Sequence, residues 1–252
     1  MQVIAKALWL QKAGNRLEEY EDAFCPEESD THADTFYAAV ADGATETSFA
    51  AEWAKLLVRS YCDGRFAVSD LENALPKIQR WWSRSVNTLP LAWYAEEKLK
   101  MGAYSSLLGL TLRGESDSCR NKLSWEAISI GDSCLFHIRR DRIIKVWPLW
   151  LATQFNSRPI LLSSNPENNF GIACHIQQTG GEWELGDEFY LMTDALACWF
   201  LQAVGQGMRL SGVLQEFVEI TQPTKFEKLI GQWRSSKLMR NDDITWLRIL
   251  AK

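Results

Sequence analysis

The sequence predicts an α+β protein with mostly antiparallel sheets, because its strand and helix patterns come in blocks and not in strict alternation. Short apolar runs rich in β-forming residues predict strands at 3–10 and 35–41, and three more in succession at 107–113, 123–130 and 134–140. A tight turn joins the last two of these strands. A long helical block separates the first two strands from the later three.

The first helix is predicted from apolar residues at helical spacing. Phe49, Trp53 and Tyr61 recur in this way within 48–61, where Ser48 is the predicted N-cap.

A capping-box pattern of Ser69 and Glu72 begins a second helix, which Pro76 is expected to break, so that 77–88 forms a helix of its own. The remaining predicted elements are a loop at 11–34, a helix at 92–102, an irregular segment at 145–180, a strand at 188–193, helices at 195–204, 211–220 and 224–236, and a last strand at 244–250.

Composition indicates an ordinary soluble protein. No linker or repeat divides the 252 residues, so we expect a single domain over 1–252. The net charge of −5 gives no global reason to bind nucleic acid. The six cysteines are scattered and predict reduced thiols, and the most apolar stretch, 189–208, carries Asp194 and predicts a strand followed by a helix. We therefore expect a cytoplasmic protein with no membrane or nucleic-acid partner.

Acidic residues stand at the ends of several predicted strands. They are Glu21, Asp22, Asp42, Asp132, Asp194, Asp242 and Asp243. If the strands are neighbours, these carboxylates share one cleft, where a cation must neutralise them, and oxygen ligands favour Mg²⁺ or Mn²⁺ over zinc. Asp is also common in turns because it accepts hydrogen bonds from local N–H groups. Spacing alone leaves both interpretations open.

Other catalytic patterns are weaker. His32, His137 and His175 form no metal-binding spacing, and His137 is expected to be packed inside a strand. Ser133, in Gly131-Asp132-Ser133, does not match a nucleophile elbow and is interpreted as a turn residue.

Six short motifs, in order along nearly the whole chain, resemble those of the metal-dependent (type 2C) protein phosphatase family. They are Glu21-Asp22-Ala23, Ala41-Asp42-Gly43, Gly109-Leu110-Thr111-Leu112, Gly131-Asp132-Ser133, Thr193-Asp194 and Asn241-Asp242-Asp243-Ile244-Thr245. The residues ADGATE at 41–46 and TDALA at 193–197 are similar to those of a bacterial branch of this family. The resemblance implies a four-layer αββα sandwich of two antiparallel sheets flanked by helices.

The resemblance also implies a site with two Mn²⁺ or Mg²⁺ ions. Asp42 would bridge the ions, the carbonyl of Gly43 would join one of them, and Asp194 and Asp242 would hold the other. The implied activity is hydrolysis of phosphoserine or phosphothreonine by a water that bridges the two ions, with Asp42, Asp194 and Asp242 as the catalytic set.

The resemblance implies roles for further residues, which match the family pattern less closely. Glu21 and Asp22 would order metal-bound waters, and Asp132 matches the ligand of a third ion in some members. The family's phosphate-binding Arg falls on Leu17, one position after Arg16, which would bind phosphate only after a loop shift.

Several residues depart from the family pattern. Ala44 stands where some members have a histidine proposed as general acid, and Thr45-Glu46 replaces a Gly-Gly pair. Ala195 replaces the usual glycine, and Cys198 stands where some members have a carboxylate for the third ion.

The departures keep three functions open. The first is a protein serine/threonine phosphatase whose substrates are the targets of a Ser/Thr kinase. The second is a catalytically weak or inactive module of the same fold that binds phosphoproteins in regulation. The third is a phosphatase for a small phosphorylated metabolite, with access set by the 145–180 segment.

Overall fold

The structure is a computed structural model. It describes the whole chain except residues 46, 48, 87–98, 100, 115–122, 156–157 and 221, and only the backbone of 210 and 211. The predicted N-cap Ser48 and most of the predicted helix 92–102 lie outside the described residues.

Two antiparallel sheets form the centre of the molecule. The six-stranded sheet has the order β3 (Glu28–His32), β1 (Gln2–Leu10), β13 (Ile244–Ala251), β12 (Glu188–Met192), β8 (Cys134–Arg139) and β9 (Arg142–Trp147). The five-stranded sheet has the order β11 (Gln177–Glu182), β7 (Ser124–Ile130), β6 (Leu107–Arg113), β4 (Thr35–Ala41) and β2 (Ala23–Cys25). A small ladder pairs β5 (Tyr104–Ser105) with β10 (Leu162–Ser163).

The sheets pack face to face over an apolar layer to which both contribute. Strand β4 shows why they stack. Its Ala38 and Val40 lie in the layer between the sheets, while Ala39 and Ala41 belong to the cluster under the helices. Successive side chains of a strand point to opposite faces, so a strand apolar on both faces must be covered on both.

Helices cover the two outer faces. On the five-stranded sheet lie α1 (Ala50–Cys62) and α2 (Leu71–Val86), and on the six-stranded sheet lie α3 (Asp194–Gly205), α4 (Leu210–Val218) and α5 (Pro223–Ser235). The protein is therefore a four-layer αββα sandwich, which confirms the fold that the family resemblance implied and the α+β class that the residue patterns predicted. No helix among the described residues is long and apolar enough to cross a membrane.

The prediction of a loop over 11–34 was wrong, because the segment contains β2 and β3. The residues of β3 are polar or charged, and its side chains alternate between exposed and half-buried. Its backbone pairs with β1 at the edge of the sheet. An edge strand with one face exposed to solvent does not need alternating apolar residues, so the sequence contains no pattern that predicts a strand here.

The predicted break at Pro76 was also wrong. Helix α2 runs through Pro76 without interruption, and its buried face includes Leu71, Leu75, Ile78 and Trp82. A proline costs an internal helix about 3 kcal/mol. Burying four large apolar side chains at about 1.5–3 kcal/mol each outweighs that cost.

Candidate active site

The sheet topology brings the acidic strand ends to one edge of the sandwich. Strands β4 and β7 both pair antiparallel with β6, so they run in the same direction, and Asp42 and Asp132 follow their ends. In the other sheet, β12 ends just before Asp194, and its antiparallel neighbour β13 begins just after Asp242 and Asp243.

Three of these carboxylates form a tight cluster. One carboxylate oxygen from each of Asp42, Asp132 and Asp194 lies within 4.8 Å of those of the other two. The cluster lies in a cavity of about 660 Å³. The cavity is lined by Asp42, Gly43, Ala44, Thr45, Thr47, Tyr104, Asp132, Arg158, Pro159, Leu161, Asp194, Arg240 and Asp242. Its wall includes residues of the 145–180 segment.

Serine hydroxyls hold the backbone of Asp42 in place. The Asp42 N–H donates to Ser106 Oγ at 2.9 Å, and the Asp42 carbonyl accepts from the Ser106 N–H at 2.8 Å and from Ser105 Oγ at 2.9 Å. Ser106 Oγ also bonds Ser133 Oγ at 2.9 Å. Since the backbone is fixed, the Asp42 side chain is directed into the cavity.

Gly43 is required by close packing. A Cβ atom at this position would lie 2.6 Å from the Glu21 carbonyl oxygen and 3.0 Å from the backbone of Ala50. Contacts that short do not occur, so a larger residue would push the Asp42 loop away from the start of α1. A glycine is therefore needed at position 43, which lines the same cavity as the cluster.

Asp22 is buried just before β2 and is not among the residues that line the cavity. Its Oδ2 accepts from Thr193 Oγ1 at 2.9 Å and from Thr245 Oγ1 at 2.7 Å. Tyr20 Oη in turn bonds Thr245 Oγ1 at 2.5 Å. The other oxygen, Oδ1, has no partner among the described residues. Burial, reinforced by the charge of Asp243, raises the pKa of Asp22 to about 8.

Asp243 holds the loop that carries Glu21. Its two carboxylate oxygens accept from the Lys12 N–H and from the Glu21 N–H, each at 2.7 Å. Burial raises the pKa of Asp243 above its usual value, and burial raises that of Glu21 to about 6. Asp243 therefore positions its neighbours and does not line the cavity itself.

The electrostatics of the cluster call for a cation. Burial, with the charges of Asp22 and Asp132 as the next causes, raises the pKa of Asp42 well above its ordinary value. Burial likewise raises the pKa of Asp132 to about 6. Converging buried carboxylates disfavour one another's ionised form. Oxygen ligands at this spacing fit hard divalent cations such as Mg²⁺ or Mn²⁺.

Arginines approach the cavity, but Arg16 is not among those that line it. Arg16 is exposed, and its N–H donates to Glu19 at 2.7 Å. The lining arginines are Arg158 and Arg240. Arg240 forms ion pairs with both Asp194 and Asp242. Arg240 stands two residues before the predicted ligand Asp242, but the spacing of charged residues along the sequence did not identify it as part of the site.

The structure brings Asp42, Gly43, Asp132, Asp194 and Asp242 to one cavity. Asp132, which the resemblance matched to the ligand of a third ion, has a carboxylate oxygen within 4.8 Å of oxygens of both Asp42 and Asp194. No positioning role was predicted for Ser105, Ser106, Thr193, Thr245 or Asp243, which hold these side chains and their backbone. Thr193, Asp243 and Thr245 stand within the six motifs, which is a signal that could have identified them, whereas Ser105 and Ser106 stand outside every motif.

His137 lies away from this edge. It is buried, its ring stacks on Phe189 with centroids 4.4 Å apart, and its Nε2 is 2.7 Å from Asp187 Oδ2. Arg139 donates to both oxygens of the same carboxylate at 2.7 Å. The predicted packing role of His137 is confirmed.

Solved structures share this architecture. The serine/threonine phosphatase PstP/Ppp of Mycobacterium tuberculosis matches with a TM-score of 0.61 and 14% identity over all of both chains. A structure of the PstP catalytic domain with two manganese ions gives 0.54 and 14% over 98% of each chain. PppA, described as a key regulatory component of T6SS in Pseudomonas aeruginosa, gives 0.55 and 15% over 100% of this chain and 99% of its own.

Comparison of sequences alone does not detect this similarity, since no protein-family model and no curated protein matches the chain. The likeness lies in the course of the backbone over the full length of the chain. The chain therefore has the fold of the metal-dependent, type 2C protein phosphatases, which is the fold that its sequence motifs implied.

Proposed function

We propose that the protein is a metal-dependent phosphatase that hydrolyses phosphoserine or phosphothreonine in proteins. The observation that carries the proposal is the convergence of Asp42, Asp132 and Asp194 within 4.8 Å in an open cavity. Aspartates with only a structural role in turns are not expected to converge in this way, because their mutual repulsion destabilises the fold.

The donor set suits two divalent ions. Asp42, Asp194 and Asp242, with the Gly43 carbonyl, are the proposed ligands, and Asp132 is placed to join them. When bound, such ions lower the pKa of a water and withdraw charge from the phosphoryl group. Mg²⁺ and Mn²⁺ both accept these ligands.

The chain's own residues supply orientation. Thr193 and Thr245 hold one oxygen of Asp22, which leaves the other oxygen available to orient a water. Asp243 holds the Glu21 N–H and so places the Glu21 side chain at the same edge. Ala44 cannot donate a proton, so water protonates the leaving alkoxide in this proposal.

The proposed substrate is a phosphoprotein, probed as a phosphopeptide. The cavity is open and walled partly by Arg158, Pro159 and Leu161, and PstP, which shares the fold, is a serine/threonine phosphatase. A second PstP structure contains two manganese ions, which supports the choice of cofactor. One domain over residues 1–252 and a cytoplasmic location remain predictions.

The test is a panel of phosphoserine and phosphothreonine peptides beside small phosphorylated metabolites, with Mn²⁺, with Mg²⁺ and with chelator. We expect metal-dependent turnover of the peptides that Asp194→Asn abolishes. Turnover of the metabolites alone would favour the metabolite phosphatase. Peptide binding without turnover at saturating Mn²⁺ would instead favour the inactive regulatory module.

A further inference from the structure

Arg240 places a positive charge inside the proposed metal site. Its Nη2 bonds Asp194 Oδ2, and its Nε lies 3.4 Å from Asp242 Oδ2. The Asp194 side chain is 10% exposed and that of Arg240 is 48% exposed. The guanidinium therefore spans two proposed ligands from the solvent side of the cavity.

The backbone beside Arg240 is held by hydrogen bonds and burial, whereas about half of the Arg240 side chain is exposed to solvent. The Asn241 amide exchanges two hydrogen bonds with the backbone of Ala13, at 2.8 and 3.1 Å. The Asp242 carbonyl accepts from Arg234 Nη2 at 2.5 Å, and Met239 is buried. A change in the contacts of Arg240 therefore needs rotation of its side chain and no movement of the loop.

We propose that Arg240 neutralises Asp194 and Asp242 in the metal-free protein, gives up these carboxylates when divalent ions bind, and then binds the phosphate group of the substrate. The inference rests on the proposed function. Arg240 thus takes the phosphate-binding position that the sequence resemblance assigned to the region of Arg16.

Charge and geometry support both the release of the two carboxylates on metal binding and the later binding of phosphate. A guanidinium and a divalent cation that compete for the same carboxylate oxygens repel each other, so bound metal displaces the side chain toward solvent. From there the planar group, with five donors, matches two phosphate oxygens in a bidentate contact. Leu17, which occupies the family's arginine position, is exposed and has no charge to offer.

The inference predicts opposite effects of one substitution. In calorimetric titrations with Mn²⁺, Arg240→Gln should bind the metal about 3-fold or more tightly than the wild type, because a competing cation is gone. In Mn²⁺-saturated protein, the same variant should bind inorganic phosphate about 10-fold more weakly, since charged hydrogen bonds are lost. Arg240→Lys should retain part of the phosphate affinity.

The matched variants are Arg140→Gln, Arg16→Gln and Arg158→Gln. Arg140 is highly exposed and is not among the residues that line the cavity, so its variant should bind metal and phosphate like the wild type. Loss of phosphate binding in Arg16→Gln or Arg158→Gln, with Arg240→Gln unaffected, would overturn the inference.

Two further outcomes bear on the inference. Weaker binding of both Mn²⁺ and phosphate by Arg240→Gln would indicate a merely structural role and overturn it. Failure of the wild type itself to bind Mn²⁺ would overturn the proposed function, and the two failures are distinguishable because both titrations are independent of turnover.

Discussion

The metal-free protein should lose stability as pH rises from 6.5 to 7.5. Asp22 has a pKa of about 8 in the folded chain, against the usual 3.8. Over this range the folded state therefore holds a proton that the unfolded chain has released, and the free energy of unfolding falls with pH. The raised pKa of Asp42 acts in the same direction.

The expected magnitude follows from one bound proton. A full proton corresponds to about 1.4 kcal/mol per pH unit, so Asp22 alone contributes about 1 kcal/mol over this range. For a chain of this size that lowers the melting temperature by about 2–4 °C. The pKa of His137 is lowered by burial from its ordinary 6.5, so its effect has the opposite sign, and this effect fades as the pH rises above 6.5.

The assay is thermal unfolding of chelator-treated protein at several pH values, with and without Mn²⁺. Asp22→Asn should flatten the slope and melt higher than the wild type at pH 7.5. The exposed Asp34→Asn is the control and should keep the wild-type slope. A melting temperature that is constant or rises with pH in the metal-free wild type, or an unchanged slope in Asp22→Asn, would refute the reasoning.

Three other substitutions test the packing around the site. Gly43→Ala should cost about 1–3 kcal/mol of unfolding free energy by denaturant titration, because its Cβ meets the Glu21 carbonyl at 2.6 Å; wild-type stability would contradict this. Asp243→Ala should cost about 2 kcal/mol and weaken Mn²⁺ binding, because the N–H groups of Lys12 and Glu21 lose their acceptors; unchanged metal affinity would show that this loop does not support the site. Trp199→Ala, at a residue that does not line the cavity of the cluster, should cost about 3 kcal/mol through loss of a ring stacked on Trp233 at 3.8 Å, yet leave metal affinity unchanged; altered affinity would contradict the assignment.

Much of the fold was predictable because its strands are apolar on both faces. Strand β4 and the successive strands β6, β7 and β8 consist mostly of buried residues, and their ends were predicted within one residue. Strand β3 could not be predicted in this way. Its signal is backbone pairing at an edge, which leaves no apolar pattern in the sequence.

The candidate site shows a similar division. Asp42, Asp132 and Asp194 each follow a strand that the sequence predicted, and the resemblance of their motifs to the type 2C family implied that they belong to one site. Their proximity depends on the pairing of neighbouring strands, which spacing does not determine. The ion pairs of Arg240 depend on side-chain direction and on the charge of the cluster, and neither exists until the two sheets have packed.

The central claim is that the aspartate cluster binds divalent ions for phosphate-ester hydrolysis. Its most direct test is hydrolysis of an aryl phosphate by the purified protein with Mn²⁺, with Mg²⁺ and with chelator, alongside Asp42→Ala. We predict turnover that requires metal and is absent from the Asp42→Ala protein. No turnover with either metal, together with no Mn²⁺ uptake in calorimetry, would contradict the account and leave the aspartates as turn residues.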